Sequence, residues 1–167
     1  MKRITLRLIL AAILISGTTA LHAQRKEKKV EEFKKISAII DSSYYQFRVQ
    51  SIKPSGRRTV YFSAVFFLTV QDTLYMAELP YIGRTFEDHT EQPDGIIFTG
   101  KPMNLEISRD EKRRTISVNY EIDGEDERFQ VNMVIRDGGY GSLYISCRSR
   151  EPITYNGIIS ALEIPRR

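Results

Sequence analysis

Tryptophan is absent from the 167 residues, cysteine occurs once and histidine twice. A single thiol, Cys147, leaves no internal disulfide framework to staple the fold, so a buried core has to hold it. The two histidines are His22 and His89, and the first falls in a segment read below as a leader. Any Ser-His-Asp or Cys-His arrangement would therefore have to use His89, which sits in no catalytic motif, and no triad can be assembled. Asp88, His89, Glu91 and Asp94 cluster in sequence but follow neither zinc spacing nor a calcium-loop pattern, so neither a metal nor a cofactor is expected. A large excess of one sign of charge is missing as well. The formal +4 falls to +1 once Lys2, Arg3 and Arg7 are set aside, too little for a nucleic-acid partner.

Long hydrophobic runs are also missing. Leu8 to Ile15 is uncharged and apolar but well short of the roughly 20 residues that span a bilayer. Preceded by Lys2, Arg3 and Arg7 and followed by small polar residues up to Ala23, it reads as a secretory signal peptide over residues 1–23. Cleavage is expected after Ala23, with Ala20 as the alternative. No cysteine stands at either point to take a lipid, so the product is expected to be soluble, without a stable membrane anchor. The 144 residues that remain suit one domain.

What the chain does have is period-two apolar alternation. Three successive runs carry it: Ile116, Val118, Tyr120 and Ile122; Phe129, Val131, Met133 and Ile135; Leu143, Ile145 and Cys147. This is the pattern of antiparallel strands with one buried face. Asp123 to Glu127 and Asp137-Gly138-Gly139 supply the turns between them. Cys147, in phase with Leu143 and Ile145, reads as a buried small hydrophobe rather than a nucleophile. Gly138, Gly139 and Gly141 lie between strands rather than before a helix, which makes them turn residues and not a phosphate cradle.

Before the strands, Glu27 to Asp41 changes to a helical period: Val30, Phe33, Ile36, Ile39 and Ile40 form a stripe, and lysines and glutamates cover the rest. A helix within residues 24–43 should dock this stripe on a β domain spanning 44–167, the two making one domain. Strands are expected from Tyr45 to Ile52, Thr59 to Val70, Thr73 to Leu79, Gly95 to Gly100 and Met103 to Ser108, the last two forming a pair. The Phe66-Phe67-Leu68 run predicts a strand that is covered on both faces or interrupted by a bulge near Ala64. Asn156-Gly157 reads as a turn before a last strand or short helix over Ile158 to Ile164. The expected architecture is a helix on a strongly curled, barrel-like antiparallel meander of about eight to ten strands. A two-sheet sandwich is the alternative.

Leu79-Pro80-Tyr81-Ile82-Gly83-Arg84 and the stretch from Asp137 to Ser146, continued by Arg150 to Gly157, resemble the family described as domain of unknown function 4251. That resemblance implies a Gram-negative envelope address and a helix followed by a curled sheet. It implies no activity and no functional residues. The function expected is a non-enzymatic periplasmic or secreted binding protein for a small ligand or a partner protein. The competing expectations are an envelope interaction or inhibitor protein without a small-molecule site, and a carboxylate-dependent hydrolase. Tyr81, Arg84, Tyr140 and Arg150 are the candidate ligand-binding residues, because tyrosine and arginine anchor interfaces when exposed.

Overall fold

The computed structural model describes residues 25, 27–86, 95–125 and 127–162. The expected signal peptide, the cleavage point and the acidic cluster around His89 lie outside them. A helix, α1 (27–41), precedes nine strands: β1 (Tyr44–Pro54), β2 (Val60–Gln71), β3 (Leu74–Leu79), β4 (Ile96–Gly100), β5 (Met103–Asp110), β6 (Thr115–Asp123), β7 (Arg128–Arg136), β8 (Tyr140–Ser146) and β9 (Ile153–Ala161). They form one antiparallel sheet in the order β4-β3-β2-β1-β9-β8-β7-β6-β5. The sandwich is thereby excluded, and the curled sheet with its docked helix is as expected.

The alternation in β6 and β7 is converted directly into burial. Ile116, Val118, Tyr120, Ile122, Phe129, Val131, Met133 and Ile135 all point inward, and the two strands stay in unbroken register from Thr115–Arg136 to Asp123–Arg128. The sheet curls far enough for its two halves to meet. Phe98 of β4 lies 6.0 Å, ring centre to ring centre, from Phe129 of β7, and Tyr75 of β3 stands edge-on to Tyr120 of β6 at 4.9 Å. Inward side chains fill the space between. α1 adds Phe33, Ile36 and Ile40 to that core, each worth about 1.5–3 kcal/mol before ordering costs. It ends where Ser43 turns left-handed (φ 56°) and Ser42 Oγ donates to the Ile39 carbonyl at 2.7 Å.

Two local expectations change and a third holds. β4 and β5 follow each other across Lys101-Pro102 yet do not pair: β4 bonds to β3 and β5 to β6, so they are the sheet's two edges. Asn156-Gly157 is no turn, because β9 runs straight through it. A side chain at 157 would collide with the Arg48 carbonyl, so the glycine serves close approach between β1 and β9 at a bulge, where Gln50 is extra. The interruption foreseen near Ala64 is present: Phe62 to Val65 stand opposite the single residue Gln50. The outer side of β2, in contrast, has no cover among the described residues.

Candidate functional site

Tyr81 and Arg150 are brought together by the fold. After β3, the Tyr155 hydroxyl donates to the Pro80 carbonyl at 2.9 Å and fixes the exit of the chain. Tyr81 then folds back so that its hydroxyl lies 2.9 Å from the Arg84 carbonyl and 3.0 Å from that of Glu151. Gly83 is required for this, since a β-carbon there would occupy the place of the Tyr81 phenol. Two further bonds, Glu151 N–H to Arg84 O at 2.9 Å and Phe86 N–H to Ser149 O at 2.7 Å, with the Thr85–Arg150 bridge, sew this segment to the β8–β9 connection.

Arg150 lies beneath, 5% exposed. Its guanidinium is 5.4 Å from the centre of the Tyr81 ring, donates through Nη1 to the Gly95 carbonyl at 2.6 Å and pairs through Nε with Glu127 Oε1 at 2.9 Å. The other carboxylate oxygen of Glu127 accepts from Ser149 Oγ at 2.5 Å. Burial pushes the Glu127 carboxyl up, but the bonds from Ser149 and Cys147 and the Arg150 charge outweigh it and hold it below the usual glutamate range. Burial and the neighbouring Glu127 raise the Cys147 thiol to about 11, and burial pushes the Tyr81 phenol up to about 12. Cys147 follows the end of β8 and is half-buried against the core. The group is a fully partnered brace between β4, the β6–β7 turn and the β8–β9 connection. Arg84 contributes its carbonyl and exposes its side chain, while Tyr140, 61% exposed, stands at the start of β8 beside Gly138.

A family model described as "Domain of unknown function (DUF4251)" matches residues 27–159. The chain belongs to the DUF4251 family. No curated protein matches it significantly. A crystal structure of a DUF4251 family protein from Bacteroides eggerthii DSM 20697 superposes with a TM-score of 0.61 at 14% identity, covering 79% of this chain and 89% of that one. At that identity the likeness establishes the fold.

Two surfaces of this DUF4251 protein stand out beside the brace. The first is the outer face of β2, β3 and β4. Thr69, Met76 and Thr99 form one row there, and Glu78 and Ile97 another. Together with Val65, Phe66 and Phe67 they line a shallow depression of about 470 Å³. Val65 is 57% and Ile97 43% exposed, whereas Phe62 and Phe66 stack edge-on to each other and pack against the core. The signal for this surface was the uninterrupted Phe66-Phe67-Leu68 run, which puts apolar groups on both sides of a strand. The second is a polar depression of about 610 Å³ at the β5–β6 end, lined by Ser108, Arg109, Asp110, Arg113, Thr115, Ser117, Arg136 and Asp137. Among the described residues no cluster of His, Cys, Asp and Glu is placed to hold a metal, and no helix is long and apolar enough to cross a membrane.

Proposed function

We propose that this DUF4251 protein is a non-enzymatic binding protein, exported through cleavage of residues 1–23 into the periplasm or the medium. Its binding surface is the outer face of β2–β4, and its partner is another protein of the cell envelope. The bare apolar depression at Val65, Phe67, Met76 and Ile97 carries the reading. An exposed sheet face normally alternates to polar residues, and apolar patches left open mark association surfaces. The filled interior also supports docking at the exterior over an enclosed ligand. Glu127, the most buried carboxylate of the brace, is held by Arg150 and Ser149, an arrangement for structure rather than for acid–base work.

The test is a photo-crosslinking residue at position 65 in the full-length chain, expressed in cells that export it. The expected result is a mature protein beginning at Gln24 in the osmotic-shock fraction or the medium. A discrete adduct should form at position 65, be missing with the probe at Asp123, and disappear when Ile97→Asp is added. Both positions are exposed, so the substitution should change stability by no more than about 0.5 kcal/mol. A chain that keeps Met1 and pellets with membranes overturns the export reading. No adduct at position 65, or one indifferent to Ile97→Asp, overturns the docking surface.

A further inference from the structure

We propose that the outer face of the β5–β6 hairpin is an oxyanion-binding site, taking a phosphate or sulfate group. The register lays out its floor: Ser108 stands opposite Ser117, and Asp110, Thr115 and Arg136 form one row across β5, β6 and β7. Arg113 closes one side. Asp110 accepts from the Arg113 backbone N–H at 2.9 Å and holds the Arg113 side chain at 3.7 Å, which folds that guanidinium back over the hairpin tip. Arg136 approaches from the next strand and is exposed. Thr115 Oγ1 donates to the Arg113 carbonyl, leaving the facing Ser108 and Ser117 hydroxyls as neutral donors at the centre.

The acids around the depression are already matched. Asp137 is held by Arg114 at 3.0 Å and Lys29 at 3.9 Å, Asp41 pairs with Arg109, and Asp110 pairs with Arg113. On the outer face itself, Arg113 and Arg136 stand over the one carboxylate of Asp110, and Arg136 has no ion pair among the described residues. Surplus guanidinium next to hydroxyl donors is the chemistry of phosphate and sulfate recognition, because the planar fork meets two oxygens of one anion. The outer apolar face lies on other strands, β2 to β4, so this site stands or falls independently of it.

Titration calorimetry of the mature chain with inorganic phosphate and with sulfate tests it, alongside flotation with vesicles of phosphatidylcholine alone or with phosphatidylglycerol added. Saturable binding that weakens with salt is expected, reduced about tenfold or more by Arg136→Gln, the usual effect of losing one charge-assisted bond. Arg57→Gln, an exposed arginine at the β1–β2 turn, should leave it unchanged. Phosphatidylglycerol-dependent flotation lost in Arg136→Gln supports the site and identifies the anion as a lipid headgroup. Phosphate or sulfate binding without flotation supports it with a soluble anion. Binding of neither probe, or equal weakening by Arg57→Gln and Arg136→Gln, overturns the proposal.

Discussion

Arg150→Met should be among the most damaging single substitutions outside the apolar core. The change removes the bond to the Gly95 carbonyl, the pair with Glu127 and the contact over the Tyr81 ring at one stroke. It leaves the Glu127 carboxylate poorly solvated, with Ser149 as its remaining strong donor. Breaking a buried pair from one side costs about 3–5 kcal/mol. At roughly 3–5 °C per kcal/mol for a domain of this size, the melting temperature should fall by about 10–20 °C. Glu127→Gln should be destabilising as well, and in it the acid limb should change shape. The native Glu127 carboxyl lies below its unfolded value, so its contribution is present at neutral pH and is lost as pH falls through the folded value. Glu127→Leu combined with Arg150→Met should recover much of the loss, since no isolated charge remains. Thermal melts of the parent, the Arg150→Met, Glu127→Gln and Glu127→Leu variants and the double variant from pH 3 to 8 check this. Single variants within about 1 kcal/mol of the parent, or a double variant as unstable as the sum of the singles, would refute the claim that mutual charge compensation holds the brace together.

Tyr120→Phe should not destabilise the protein and should raise its melting temperature by a few degrees, because the buried Tyr120 hydroxyl has no hydrogen-bond partner among the described residues and its desolvation costs about 1–3 kcal/mol; a fall of several degrees would reveal an internal water or other partner on it. Gly157→Ala should prevent folding or lower the melting temperature by more than 10 °C, since the added carbon meets the Arg48 backbone rather than a side chain that could move, and circular dichroism of the purified variant would show it; a stable variant would mean that β1 and β9 can separate locally. Cys147 should react with a maleimide slowly at pH 7.5 and quickly in denaturant, because its thiol is pushed up to about 11 and half-covered; fast native labelling would place it in solvent.

The sheet was readable because its signal is local. Each of β6, β7 and β8 writes its buried face every second residue, and Asp137-Gly138-Gly139 supplies the positive φ that the β7–β8 reversal needs, at 82° and 79° on the two glycines. α1 was readable from its stripe for the same reason. Asn156-Gly157 was misread because a glycine that permits a reversal and one that permits close approach look alike until the neighbouring strand is known. Arg150 drew notice as a binding residue, whereas its partners, Glu127 and the Gly95 carbonyl, lie 23 and 55 residues away and leave no trace in the local pattern. The outer face of β2–β4 was visible only as excess apolarity in Thr59 to Val70. Which side of that strand would be left bare depends on how far the sheet curls, and that is fixed by contacts such as Tyr75 on Tyr120.

The first and last strands lie side by side in the middle of the sheet, Tyr45 against Ala161 and Pro54 against Ile153. A chain emerging from its N-terminus makes the β1–β2 hairpin early, yet the other flank of β1 stays open until residues more than a hundred positions later have arrived. Half-made molecules therefore present a template strand, with its row of unpaired amides and carbonyls, to any neighbouring polypeptide. Crowded synthesis should favour exchange, with β9 of one molecule filling the place beside β1 of another. The same arrangement delays that closure until β9 has been made. Truncation after Ser146 would remove the strand that joins the two halves of the sheet, and should yield a collapsed, aggregation-prone species rather than a smaller folded one.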